Sequence, residues 1–157
     1  MNTISKHIND NSRCLRMENN VSLPRWVNIY QGFQRKHPQL VKIINFDRDR
    51  TIEMEKIEGF DLRETHLIKK LSIEERRHLT YEVISLWGIM QTFTIDDHKT
   101  FLHRDFCISN LMYEPSTKRV RLIDPDSFEV VSPSEVSPTY FGNFVDTLYN
   151  MRRWEQL

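Results

Sequence analysis

The chain has 157 residues, enough for one domain whose hydrophobic core needs no disulfide or metal staple. Its 22 Lys+Arg balance 22 Asp+Glu, which argues against a protein built to grip nucleic-acid phosphates and against a disordered acidic tail. The four glycines, Gly32, Gly59, Gly88 and Gly142, are widely spaced, which excludes a Walker-type loop, a GxGxxG turn or any other glycine-rich phosphate cradle.

In chain order, residues 1–20 are polar and Asn-rich and predict a loose lead-in, with at most a short strand at Arg13–Met17. Ser22 and Pro24 suit a helix start, and Trp26, Ile29, Tyr30 and Phe33 share one helical face. Arg35, Lys36 and His37 favour the negative end of the helix dipole, and Pro38 stops the helix. Leu40–Phe46 and Thr51–Ile57 read as a hairpin around the polar turn Asp47–Arg50. The second strand alternates, with Ile52, Met54 and Lys56 on one face and Glu53, Glu55 and Ile57 on the other. Gly59 punctuates its end, and Asp61 begins a short helical stretch. Ser72 and Glu75 form a capping-box pattern ahead of Leu79, Val83, Leu86, Trp87 and Met90. A strand at Thr100–Leu102, a loop, a second hairpin (Leu111–Tyr113 and Arg119–Ile123), a Ser/Pro-rich loop and a last helix near Asn143 complete the pattern. Helices and strands are segregated, so the expected class is α+β and not a doubly wound parallel sheet.

The two cysteines, Cys14 and Cys107, have no metal or redox spacing and point to a reducing compartment. Met1–Asp10 lacks the apolar run of a secretory leader, and no stretch approaches the roughly 20 apolar residues of a bilayer span. A cytoplasmic location without membrane or nucleic-acid partners is the expectation.

The chemistry-bearing stretch is His103-Arg104-Asp105 through Asn110, followed by Leu122-Ile123-Asp124-Pro125-Asp126. The second hairpin would return Asp124 beside Asn110, making a hard-oxygen site suited to Mg²⁺. A nearby third oxygen group, Asp105, would orient a hydroxyl and accept its proton. Against this stands the plainer reading of Asp105, Asn110 and Asp124 as turn residues, with Asp126 as a cap or a second metal ligand.

This arrangement resembles the protein kinase-like superfamily, which includes the aminoglycoside and choline phosphotransferases. His103-Arg104-Asp105 with Asn110 matches the catalytic loop, and Ile123-Asp124 matches the metal-binding strand end, with Pro125-Asp126 in place of Phe-Gly. The resemblance implies a reduced kinase-like fold. Residues 1–58 would form a truncated N-terminal lobe ending in a hinge strand, and residues 59–157 a short helical C-terminal lobe. It implies Asp105 as catalytic base, Asn110 and Asp124 as Mg²⁺ ligands, and His103 and Arg104 as structural braces. Met54 would be the gatekeeper, the backbones of Glu55 and Ile57 would meet the adenine, and Asp61 would lie near the ribose. Asp146 would be the buried aspartate that anchors the loop backbone. ATP and Mg²⁺ are the implied cofactors, and a hydroxyl of a small molecule or protein the acceptor. The sequence shows no glycine loop, no motif for the ATP-binding lysine and no Glu in the Trp26–His37 helix. Arg13, Arg16 or Lys42 would be substitute cations, or a homodimer or protein partner would cover the open site. The same gaps suit a pseudokinase acting as a nucleotide-binding or regulatory module.

Overall fold

The computed structural model describes residues 2–9, 22–47, 50–95 and 98–157. The elements of its first half are β1 (Thr3–His7), α1 (Leu23–Lys36), β2 (Ile43–Phe46), β3 (Thr51–Glu55), β4 (Phe60–Asp61), α2 (Thr65–Ile68) and α3 (Ile73–Met90). Then follow β5 (Thr94–Ile95), β6 (Lys99–His103), β7 (Leu111–Glu114), β8 (Arg119–Leu122), β9 (Phe128–Val131) and α4 (Pro138–Met151). The class is α+β, with three small sheets in the orders β1-β3-β2, β4-β7-β8 and β5-β6-β9. Every pairing between named strands is antiparallel.

The N-terminal sheet departs from expectation at its start. Thr3–His7, anticipated only as lead-in, pairs with β3 from Thr3↔Glu55 to His7↔Thr51. The ladder supplies backbone partners that the polar sequence does not advertise, and the fully buried Ile8 anchors the strand end. The strand considered at Arg13–Met17 lies outside the described residues. β2 begins at Ile43, after the expected Leu40, because Leu40 forms a parallel bridge to Leu122 instead. In β3 the inward positions Ile52 and Met54 are buried as the alternation requires. The strand ends at Glu55, so the phase breaks there: Ile57 is buried and Lys56 exposed.

α1 starts after Ser22 with Pro24 in its first turn and carries Arg35 and Lys36 in its last. Its apolar face is core. Trp26 and Tyr30 are fully buried, Trp26 Nε1 donates to the Phe128 carbonyl (3.0 Å), and Tyr30 Oη donates to the Val41 carbonyl (2.6 Å). Phe33 stacks on Phe93 and Phe101, and Phe101 stacks on Phe128. α3 is opened by the expected capping box between Ser72 and Glu75. Its Trp87 stacks on Phe144 of α4, joining the two longest C-terminal helices.

β9 was not legible as a strand, since all four of its residues are buried and no alternation marks them. α4 begins at Pro138, earlier than Asn143, because Ser137 takes the extended N-cap position without a side-chain bond and Pro138 fits the first turn. Among the described residues no helix is long and apolar enough to cross a membrane.

Gly59 is required by a close approach between layers. A Cβ there would lie 2.0 Å from the Tyr113 carbonyl oxygen of β7, a backbone atom that cannot swing aside. Gly59→Ala is therefore expected to destabilise the fold by about 1–3 kcal/mol in chemical denaturation; an unchanged midpoint would contradict this packing.

Candidate active site

Two hairpin-like pairings converge on the His103–Asp126 region. β6 delivers His103 opposite Phe128 of β9, and Arg104 N–H continues that ladder to the Ser127 carbonyl (2.9 Å). β7 and β8 pair from Leu111↔Leu122, and Ile123 N–H extends the ladder to the Asn110 carbonyl (3.0 Å). The hairpin thus returns the chain beside Asn110, as the spacing requires. Residues 39–41 flank β8 on its other edge through Leu122 N–H to the Gln39 carbonyl (2.8 Å) and Val41 N–H to the Leu122 carbonyl (3.0 Å). Asp124 follows a strand held on both sides.

His103 links the loop to Asp124. It is fully buried, its Nδ1 accepts from the Asp105 N–H (3.2 Å), and its Nε2 lies 2.7 Å from the Asp124 carbonyl. A carbonyl only accepts and Asp105 N–H only donates, so the proton belongs on Nε2 and Nδ1 is bare. Asn110 Nδ2 donates to the Asp105 carbonyl (2.8 Å) and to its Oδ2 (3.0 Å), aiming the carboxylate. Arg104 pairs with Glu129 of β9. The Cys107 thiol is free and lies 2.9 Å from Ser109 Oγ.

The loop backbone is anchored by α4, but not through Asp146. Asp146 is exposed. One position on, the buried Thr147 hydroxyl lies 3.0 Å from the Phe106 carbonyl, and Asn143 Nδ2 donates to the Arg104 carbonyl (2.9 Å). Residues 143 and 147, four apart, face the loop together, whereas 146 lies about 100° round the helix from 147 and is exposed.

The cation of the site comes from β1. Lys6 pairs with Ile52 on the inward face of the sheet, and its Nζ reaches Asp124 Oδ1 (2.8 Å) and Asp126 Oδ1 (2.5 Å). Burial works against the Lys6 charge, but its bonds to the two carboxylates outweigh that and raise its pKa. Burial likewise works against ionising Asp124; hydrogen bonds with Asp126, Lys6 and Ser127 overcome it and hold Asp124 well below the usual carboxylate range. Asp126 is pushed up to about 6 by burial and by its hydrogen bond with Asp124, with Lys6 opposing. Asp126 is therefore a member of the cluster and not the helix cap that its sequence context suggested. Lys42, the described alternative, lies exposed with its N–H on Glu55 Oε1 (2.9 Å), and Arg13 and Arg16 fall outside the described residues.

The proposed hinge residues separate. Met54 is buried in β3. The Glu55 side chain joins Arg121, which also holds Glu114 (3.1 Å), and this cluster ties the N-terminal sheet to the β7–β8 hairpin. Glu55 N–H is spent on the Lys42 carbonyl (3.0 Å). Ile57 N–H meets no acceptor among the described residues. The Asp61 carboxylate accepts from the Arg63 N–H (2.7 Å) and pairs with its exposed guanidinium (2.9 and 3.0 Å).

Asp124 and Asp126 fit a hard divalent ion, since both carboxylates already converge on one cationic atom, and Asn110 uses its Nδ2, not its Oδ1, to hold the loop. Among the described residues no three His, Cys, Asp or Glu side chains form a self-sufficient metal cluster. No protein-family model matches the chain, and no curated protein matches it.

Two measurements check this arrangement. Thr147→Val should cost about 1 kcal/mol by removing the hydroxyl shared between the Phe106 (3.0 Å) and Asn143 (2.8 Å) carbonyls, whereas Asp146→Ala should stay within about 0.5 kcal/mol. Equal effects would overturn the anchoring assignment. Asp126 keeps its proton to about pH 6 in the fold but to 3.8 when unfolded, so its contribution to stability falls as pH rises through that window. Asp124, with a depressed value, loses its contribution only below 3.8. The melting temperature of Asp126→Asn relative to the parent should therefore rise between these two pH values; parallel profiles would contradict the assignment.

Proposed function

We propose that the chain is a reduced member of the protein kinase-like superfamily and transfers the γ-phosphoryl group of Mg²⁺-ATP to a hydroxyl. The observation that carries this reading is the convergence of Lys6, the Asp124–Asp126 pair and the Asp105–Asn110 loop, joined through buried His103. Turn and cap roles require no lysine from a strand more than a hundred residues away in sequence.

In this reading Asp105, aimed by Asn110, orients the acceptor hydroxyl and takes its proton. Asp124, Asp126 and the Asn110 amide oxygen would hold Mg²⁺, which supplies charge neutralisation of the nucleotide phosphates. Lys6, on the sheet's inner face, is the cation available to the phosphates once the carboxylates have another partner. The Ile57 N–H, without an acceptor among the described residues, supports the expected adenine contact, and buried Met54 supports the gatekeeper position. Asp61, paired with the exposed Arg63, would have to exchange that partner to meet the ribose.

A second reading, a pseudokinase that binds nucleotide or a partner without turnover, is favoured by the Lys6 ammonium already lying between the two carboxylates. α1 carries no acidic residue to draw it away.

Steady-state ADP release from Mg²⁺-ATP, with water as acceptor, separates the two. The phosphotransferase reading expects release that falls about 10²–10⁴-fold in Asp105→Asn, and a raised KM for ATP in Lys6→Met. Nucleotide binding without any ADP release would favour the pseudokinase. Release unchanged by Asp105→Asn would contradict the catalytic assignment.

A further inference from the structure

A cavity of about 590 Å³ opens beside Asp105, on the side formed by β9 and the start of α4. Its size lies within the usual range for a small-molecule site, roughly 300–1,000 Å³. Its lining is unusual for such a site because it contains no aliphatic side chain. The floor is Arg104, Asp105, Ser127 and Glu129, and the wall includes Ser137, Thr139 and Asn143. The one aromatic, Tyr140, is buried and its hydroxyl is engaged with Gln91.

Several of these polar groups already have partners. Ser127 Oγ donates to Asp124, Asn143 Nδ2 donates to the Arg104 carbonyl, and Arg104 is paired with Glu129, which is only 7% exposed. Arg104 is the only cation among the described lining residues, and Glu129 neutralises it. With Asp105 added, the lining carries one positive and two negative groups. An anionic ligand would meet no unpaired cation and would face the Asp105 carboxylate. The hydroxyls of Ser137 and Thr139 form no hydrogen bond within the described residues, and Thr139 is exposed. These wall hydroxyls and the floor carboxylate offer both donors and acceptors to a ligand with several hydroxyl groups.

We propose that this cavity is the acceptor site and takes an uncharged, polyhydroxylated small molecule of sugar or polyol type, with Glu129 excluding anionic acceptors by masking Arg104. The proposal rests on the phosphotransferase reading. One ligand hydroxyl lies at Asp105. Its oxygen forms the new bond to the γ-phosphorus, the bond from that phosphorus to the β,γ-bridging oxygen breaks, ADP leaves, and the hydroxyl proton passes to Asp105. Ser137 and Thr139 hold the remaining hydroxyls. A peptide acceptor finds no apolar subsite for its side chains in this lining.

The test titrates the full chain with glucose, sorbitol and myo-inositol, and with glucose 6-phosphate as the anionic counterpart. Melting temperature and ADP release are read at ligand concentrations up to tens of millimolar. At least one neutral polyol should raise both, and glucose 6-phosphate should bind more weakly than glucose. Glu129→Gln should reverse that preference about tenfold by freeing Arg104. Because Glu129 is buried, Ser137→Ala/Thr139→Val provides a second variant at the cavity wall, expected to weaken polyol binding about tenfold. The proposal is overturned if no neutral polyol has an effect, if the parent prefers glucose 6-phosphate, or if a Ser-containing peptide stimulates ADP release and polyols do not. Mg²⁺-ATP binding without polyol binding removes the acceptor assignment and leaves the phosphotransferase reading intact. Polyol binding sensitive to Thr139 but without Mg²⁺-ATP binding supports the cavity and removes that reading.

Discussion

Two carboxylates, Asp124 and Asp126, are brought together in a partly buried corner, and the ammonium of Lys6 lies between them at 2.8 and 2.5 Å. Like charges this close cannot both ionise cheaply, so the pair shares its burden between a depressed and a raised pKa, with Lys6 compensating both. The geometry of the region follows from this constraint. β1 must lie at the edge of the N-terminal sheet with Lys6 facing inward. β8 must end where that lysine can reach. Residues 39–41 and the His103 ring must hold the strand end in place. Breaking the bridge by removing Lys6 would leave two partly buried acids uncompensated, which is more costly than losing an exposed ion pair.

Around this charged centre, neutral hydrogen bonds do the positioning. His103 ties the Asp105 N–H to the Asp124 carbonyl, and Asn143 and Thr147 fasten the loop backbone to α4. None of these contacts uses a charged side chain, so the loop can be rigid without adding to the crowded electrostatics of the site. A separate ionic cluster, Arg121 with Glu55 and Glu114, joins the upper sheet to the β7–β8 hairpin.

The parts of the structure legible in the sequence were those with local signatures. The Ser72/Glu75 capping box, the Ser22-Pro24 helix start and the β7–β8 hairpin each depend on residues close together in the chain. The closeness of Asn110 to the Asp124 backbone followed from that hairpin. Lys6 was not legible, because five residues rich in polar side chains carry no strand period strong enough to separate them from a loop, and their pairing with β3 is non-local. β9 was hidden for the opposite reason, as a fully buried strand shows no alternation. Asp146 misled because its anchor role came from the resemblance alone, whereas the register of α4 turns Asn143 and Thr147 inward. Asp126 looked like a cap because Pro-Asp-Ser is turn chemistry, and only the arrival of Lys6 reveals its other role.

The central claim is that Lys6, Asp124 and Asp126 form a site for a nucleotide's metal and phosphates. Thermal melting of the parent and Asp124→Asn, each with ATP alone and with Mg²⁺-ATP, tests it most directly. At a nucleotide concentration about ten times Kd, the account predicts a rise of roughly 3–6 °C for the parent with Mg²⁺-ATP. Asp124→Asn should lose the Mg²⁺-dependent part of that rise. No shift in the parent at millimolar Mg²⁺-ATP, or a Mg²⁺-dependent shift that survives Asp124→Asn, would contradict the account.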